Sequence, residues 1–504
     1  MGNTIRYAIF SQPWLLAAAI VTIFSLVVIT KALLHPLRDV PGPFWARFTR
    51  LWYLRAVSMG DFEMKNIDLH RSYGSIIRIA PGQYSLNDPE AIRTIYSHSS
   101  NFVKAPWYLA SSNPNSESRD LFTDLDPRSH AKNRRKVASL YSMSSLIPME
   151  SCVADCTNVL IERFTEFAKS RQTFNLQNWM QFYAFDVIGL ITLNKRFGFL
   201  DSGTDQNSLI TSLNSYLVYA SQVGIFQELH PFLSRMLALL PSNGIAHLGA
   251  FTLQQVSEGQ RKFREKSSAD SSDPFLKRLL NMHSENPDKI SEADIFTTCI
   301  TNIGAGSDTT SISLTAILHK ICQHSDVYQK LRNEIDTADD QGKLSFPAIT
   351  FRESQALPYL QACIKESMRL HPVTGLPLAR VVPKGGATLC GRFFPEGEIV
   401  GVNTWVIHRN KAVFGNDADS YRPERWMDNP AGVSEMERNF LAFGSGSRTC
   451  IGKNISLVEI GKLIPELIRR FDFELVNPEA PVKTHNVWFV KQLDVQCRVQ
   501  LRKK

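Results

Sequence analysis

The sequence predicts an α+β fold dominated by helices and preceded by one membrane-spanning helix. Three observations lead there. An uncharged apolar run lies near the start, apolar residues spaced three and four apart fill the middle, and Gly, Pro and β-branched residues crowd the stretch beyond residue 380. The 504 residues contain no repeat of fixed period and no flexible linker in the middle. One large domain after a short N-terminal segment is therefore expected.

Residues 7–30 carry no charge, and the stretch 14–29 is apolar all round. A spanning helix needs roughly 20 such residues. A cleaved signal peptide has a shorter apolar core and a small-residue cleavage site. Here the run ends in Lys31 and then in Pro36, Pro41 and Pro43, which stop a helix and stiffen the chain. The expected organisation is an anchor over residues 1–35, crossing the membrane at about 8–30, a proline-rich hinge at 36–43, and a catalytic domain over 44–504. Lys31, Arg38, Arg47 and Arg50 follow the span, against Arg6 and the amino terminus before it. The positive-inside rule places the following domain in the cytosol.

After the hinge, residues 75–80 read as a strand, Pro81-Gly82 as a turn and residues 83–86 as a returning strand. A helix opens at Pro89, with proline in its first turn. From about 130 to 330 the pattern is helical, clearest over 153–167 and 185–193. The stretch 216–240, rich in aromatic and aliphatic residues, reads most simply as core, with a channel lining or a membrane-dipping surface as alternatives. Beyond 380 come short strands and turns, then a last helix from about 451 to 471.

The net charge of +8 raises the question of nucleic acid. The basic residues are dispersed, and no zinc-finger spacing or RNA-binding aromatic motif accompanies them. An acidic protein partner or a membrane surface suits them better. Of the eight cysteines none forms a C-x-x-C pair, so buried, reduced thiols in a reducing compartment are expected.

Cys450 is the exception. It stands in Phe443-Gly444-Ser445-Gly446-Ser447-Arg448-Thr449-Cys450-Ile451-Gly452, directly before an amphipathic stretch. Flanking glycines let backbone approach a flat ligand and turn N–H groups towards the sulfur. A helix N-terminus favours thiolate. Arg448 is close enough to meet an acidic group on a ligand. A thiolate so placed suits a haem iron, although on local chemistry alone a structural cysteine stays open.

A second conflict lies upstream. Ser291 and Asp294 open a helix with the spacing of a capping box. Its apolar run is then interrupted by Gly304, Gly306, Ser307, Asp308, Thr309 and Thr310. Each glycine costs about 1 kcal/mol relative to alanine, and the hydroxyls compete for backbone hydrogen bonds. Such a patch marks either a site or a kinked core helix.

The cysteine loop resembles the haem-binding signature of the cytochrome P450 superfamily, F-x-x-G-x-R-x-C-x-G, at every fixed position. The resemblance implies the cytochrome P450 fold and haem b, with Cys450 as the axial iron ligand and Phe443, Gly444, Arg448 and Gly452 around it. The patch at 304–310 resembles the family's A/G-G-x-D/E-T-T motif. By that match Gly306 leaves room for dioxygen, Thr309 hydrogen-bonds it and Asp308 helps relay protons.

Glu366 and Arg369 resemble the E-x-x-R helix. Arg425 lies in a P-E-R-F-like segment in which Trp426 replaces Phe. These three imply a buried, structural charge network. Arg380 matches a haem-propionate position, and His130 with Arg134 resembles W-x-x-x-R with His in place of Trp. Lys132, Arg135 and Lys136 would add a basic face for an acidic electron donor. Pocket candidates by the same resemblance are Trp107, Ile300, Ala305, Thr310 and residues 373–378.

Residues 41–53 and 69–82 look like fungal members of the pisatin-demethylase-like group. The function so implied is hydroxylation or related oxidation of a lipophilic small molecule with dioxygen and NADPH-derived electrons. The substrate would be a terpenoid, polyketide or alkaloid of fungal secondary metabolism, or a plant defence compound in a detoxifying demethylation. The implied partners are NADPH–cytochrome P450 reductase, cytochrome b5 and the endoplasmic-reticulum membrane, with no nucleic acid. Two rivals are a reductase-independent haem-thiolate enzyme and a non-enzymatic haem-binding membrane protein. The intact Asp308-Thr309 pair argues against the first, and the full motif set against the second. The one N-glycosylation sequon, at Asn454, is expected to go unused on the cytosolic side.

Overall fold

The computed structural model describes residues 13–114, 119–239, 244–265 and 272–503. The start of the expected anchor, with Arg6 and Tyr7, lies outside them, as does Leu240. Helix α1, Pro13–Leu34, has none of its apolar window buried among the described residues, and from Trp14 to Leu34 it is long and apolar enough to cross a membrane.

Strands β1 (Ile76–Ala80) and β2 (Gln83–Leu86) form the expected hairpin. They belong to a five-stranded sheet completed by β3 (Val103–Lys104), β4 (Arg380–Val381) and β5 (Ile399–Val402), in the order β1-β2-β5-β4-β3. The helix Pro89–Tyr96 follows β2, capped by Asp88.

The helical body is built on α2 (Pro127–Val137), α3 (Glu150–Ser170), α4 (Leu176–Leu193), α5 (Glu292–Gln323), α6 (Pro358–Leu370) and α7 (Lys453–Arg470). The long α5 runs through the centre, flanked by α4, α6 and α7. Its capping box forms as expected between Ser291 and Asp294. The polar patch does not break it. Ser307, Thr309, Ser313 and Thr315 each return their hydroxyl to the carbonyl four residues back, at 2.7–3.1 Å. Such back-bonding satisfies the hydroxyls inside the helix and leaves its ladder intact.

Two expectations change. The stretch 216–240 is not uniformly core. Leu217, Ala220 and Ile225 are buried, whereas Leu229, Phe232, Met236 and Leu239 are exposed. The helix there loosens at Gly224, where a Cβ would stand 2.6 Å from the Trp107 ring. Beyond 380, short helices interrupt the strands, among them Thr404–Ile407, Lys411–Phe414 and Pro430–Arg438. Each begins on an asparagine, Asn403, Asn410 or Asn429, whose side chain accepts an N–H two residues on. Asparagine reads as a turn residue, but before a free first turn it is an N-cap.

Candidate active site

Cys450 lies just before α7, which begins at Lys453 after Gly452. The loop is closed by the Cys450 N–H donating to Phe443 O at 2.9 Å. Gly444 and Gly446 take φ of +70° and +63°. At Gly446 a Cβ would fall 1.8 Å from the Tyr96 carbonyl oxygen, so no side chain fits. The cysteine side chain opens onto a cavity, and the nearby backbone N–H groups of Gly452 and Lys453 favour its thiolate. Burial nevertheless pushes the thiol up, against those N–H groups and the Arg134 charge. The helix start alone does not offset that burial, and a bound metal cation would draw the sulfur towards thiolate.

Phe443, Gly444, Arg448, Arg380, Arg134 and His130 line the same cavity. Four chain segments therefore converge: the cysteine loop, β4, α2 and, unexpected from sequence, Lys104 of β3. Among the described residues, none lining the cavity is acidic. Crowded cations are strained together. Burial, then the charge of Arg380, holds Arg448 down to about 10. Burial, then Arg448, Lys104 and Arg134, holds His130 down to about 3, so it is neutral. Arg448 donates to Asp124 O at 2.7 Å, and Arg380 to Ala379 O at 2.9 Å and the Tyr108 hydroxyl at 3.3 Å. A softly ligated metal centre in a flat, acid-bearing ring fits this donor set: a thiol on one side and a cationic edge whose neighbouring Asp120 and Asp124 stand outside the cavity lining.

Helix α5 presents Thr301, Ala305, Thr309 and Ser313 to the cavity, one residue per turn. Thr309 Oγ1 rests on Ala305 O at 2.7 Å. The two flanking candidates face elsewhere, since successive helix positions lie about 100° apart. Gly306 turns towards α4, where a Cβ would stand 2.9 Å from Ile188, so its small size serves helix packing and not room for dioxygen. Asp308 is buried behind the cavity, accepts from Gln181 Nε2 and lies 3.8 Å from Lys491 Nζ.

Among the pocket candidates Ala305, Val373, Thr374 and Leu378 line the cavity. Ile300 packs into the core, Thr310 bonds Ser456 at 2.9 Å, and Gly375, Leu376 and Pro377 point away. Trp107 stands one layer back, 4.7 Å from Trp488, which with Phe122 and Phe489 forms an aromatic wall the sequence did not mark. Trp488 sits between β6 (Lys483–Val487) and β7 (Phe489–Leu493) at φ +87°, a strained value for a bulky residue. Of the basic face, Lys132 and Arg135 are exposed, but Lys136 is tied to Asp294 at 2.9 Å.

Glu366, Arg369 and Arg425 meet as expected. Arg369 grips both carboxylate oxygens at 2.8 Å and Arg425 Nε donates at 2.9 Å, all three fully buried or nearly so. Burial alone would push the carboxyl up, but Arg369 and Arg425 hold it below its ordinary range. The network reaches the cysteine loop through His408, whose Nδ1 bonds Arg369 O at 3.0 Å and whose Nε2 accepts the Leu441 N–H at 2.8 Å. All eight cysteines are free thiols. The Asn454 amide is committed to Tyr141 O at 2.9 Å.

Comparison with known proteins shows what the chain as a whole is similar to. A family model described as Cytochrome P450 matches residues 40–494. Pisatin demethylase of Fusarium vanettenii is 38% identical over 459 residues, 90% of this chain and 88% of its own length. Cytochrome P450 monooxygenase gsfF of Penicillium aethiopicum is 37% identical, covering 97% and 99%. Cytochrome P450 monooxygenase pkfB of Emericella nidulans is 34% identical, covering 92% and 91%.

Proposed function

Since this chain belongs to the cytochrome P450 family and is a P450 monooxygenase, we propose that it oxidises a lipophilic small molecule with dioxygen and NADPH-derived electrons passed on by a membrane-bound reductase. One observation carries the reading: a single cavity joins the Cys450 thiol, the Thr309 hydroxyl, a cationic edge and an apolar, aromatic wall.

Haem, when bound, supplies electron acceptance and oxygen activation. The residues suited to hold it are Cys450 as thiolate ligand, with the N–H groups of Gly452 and Lys453 near its sulfur, and Arg134, Arg380, Arg448 and neutral His130 towards its carboxylates. Thr309 holds a hydroxyl proton at Oγ1 on the cavity side of α5. Asp308, ion-paired with Lys491, sits behind it one residue away and would help relay protons towards it. Leu121, Phe122, Val373, Leu378, Trp488 and Phe489 exclude water and favour a lipophilic, flat substrate.

The anchor and hinge at residues 1–43, with positive charges after the span, support a single-pass protein of the endoplasmic reticulum whose catalytic domain is cytosolic. Exposed Lys132 and Arg135 suit an acidic reductase, with cytochrome b5 as a second donor. The two relatives named as monooxygenases come from fungi, which agrees with the proposed role in fungal secondary metabolism. The likeness to pisatin demethylase favours a second reading, demethylation of a plant defence compound.

The test is the full-length protein with purified reductase, NADPH and a library of lipophilic metabolites. A subset should perturb the haem spectrum and drive oxygen consumption with product formation. Turnover with peroxide alone and none with reductase would refute it.

A further inference from the structure

Trp488 holds φ +87° between β6 and β7. A strained backbone of this kind persists only where its surroundings fix it. The fixing begins at Asn486, whose Oδ1 accepts the Trp488 N–H at 3.1 Å. Asn486 is itself buried, and its Nδ2 donates to Glu63 Oε2 at 2.7 Å. Its backbone N–H donates to Gly60 O at 2.8 Å.

Glu63 stands 423 residues before Asn486, in the first turn of the helix Phe62–Tyr73. It is fully buried, and among the described residues it forms no ion pair. Its side-chain donors are Asn486 and the Thr484 hydroxyl, the latter at 3.0 Å. Burial pushes its carboxyl up, against those bonds. A buried acid without a cation is costly, and an apolar residue would fill the space without that cost. What the acid contributes is position. Thr484 and Asn486 lie two apart on β6 and so share one face, and each takes one carboxylate oxygen.

The hairpin is in turn tied to the cavity. Gly375 N–H donates to Trp488 O at 2.9 Å and Val490 N–H to Val373 O at 2.8 Å. Val373, Thr374 and Trp488 all line the cavity, and Glu63 does not. Only glycine at 375 leaves space for the asparagine, since a Cβ there would stand 2.3 Å from Asn486 Nδ2.

We propose that Glu63 is a positioning residue for substrate: acting through Asn486, it fixes the Trp488 indole on the aromatic wall and so sets which flat molecules fit. This rests on the reading of the cavity as the haem and substrate site.

The experiment uses the haem-loaded full-length protein with two probes, imidazole and N-naphthylimidazole. Both ligate haem iron through nitrogen, and only the second carries a flat tail to the wall. The readout is the ratio of their dissociation constants, taken from haem difference spectra. In the parent the naphthyl compound should bind at least about tenfold more tightly. Asn486→Asp sets two buried acceptors face to face. It should lower the ratio about tenfold and leave imidazole affinity unchanged. Adding Glu63→Gln exchanges donor and acceptor across the contact and still leaves acceptors for Trp488 N–H and the Thr484 hydroxyl. The paired variant should regain the parent ratio.

If Asn486→Asp does not fold, Glu63→Ala takes its place, since it removes only the acceptor of Asn486, and the same fall is expected. Failure of both to fold makes the contact one for folding alone and overturns the proposal. A parent-like ratio in the single variant overturns it, as does a loss that the paired change does not restore. Equal loss of both probes also overturns it, because the contact then supports the haem site as a whole. So does a parent that binds the two probes equally. A parent that binds neither probe would instead defeat the functional reading itself.

Discussion

The indole Nε1 of Trp426 donates to Glu366 Oε2 at 2.9 Å. Where the family-like segment has Phe, this chain has a donor, and Glu366 uses it together with Arg369, Arg425 and the Arg422 N–H. Trp426→Phe should therefore leave a buried carboxylate oxygen short of one partner. A loss of about 1–3 kcal/mol is expected, read as a lower urea midpoint at unchanged m-value. Parent-like stability would mean that Arg369 and Arg425 already satisfy the carboxylate.

Thr309→Ala removes the one hydroxyl that α5 holds between Ala305 and Ser313 on the cavity face. Haem content should be unchanged, because the Thr309 hydroxyl bonds Ala305 of its own helix and not the cysteine loop. Reducing equivalents should be diverted to hydrogen peroxide, with coupling to product reduced about tenfold or more. The measurement is the ratio of product and peroxide to NADPH consumed. Unaltered coupling would remove Thr309 from proton handling.

Buried His408 should make the fold acid-sensitive. Burial, then the Arg369 charge, holds it down to about 3, whereas a free imidazole titrates near about 6.5. Between those values the unfolded chain binds a proton that the folded chain refuses, so stability rises with pH there. The contribution is full above about 6.5 and is lost progressively as pH falls towards 3. Other buried histidines, such as His371, add to the same trend. His408→Gln should flatten the slope of urea midpoint against pH, and equal slopes would contradict the assignment.

Trp488→Ala should open the aromatic wall. The parent residue tolerates φ +87° and packs on Trp107 and Phe122. Losing a large apolar face should weaken binding of a flat substrate roughly ten- to a hundredfold. KM should rise more than kcat falls, and additional oxidation products should appear in product analysis as the substrate gains freedom to rotate.

Removing residues 1–35 should release the protein from membranes, because the apolar window of α1 is unburied among the described residues. Sedimentation with microsomes checks it. Complete pelleting of the truncated form would assign part of the attachment to exposed Phe232, Met236 and Leu239.

The sequence by itself determined the chemistry that depends on short spacing. The glycines around Cys450, the capping box at Ser291 and the Glu366/Arg369 pair are each fixed within one loop or two helical turns, so local sterics and hydrogen bonding suffice to reveal them. The family resemblance extended this to Arg380, Arg134 and His130, all of which reach one cavity. Only the tertiary structure decided which face each helix residue shows. It turned Gly306 and Asp308 away from the cavity that Thr309 enters, moved Trp107 one layer back, and tied Lys136 to Asp294. It also brought in Lys104 and Trp488, which lie 346 and 38 residues from Cys450 in the chain. Their roles come from what surrounds them. A lone lysine in an apolar run or a tryptophan at a hairpin tip means little until distant segments fold against it.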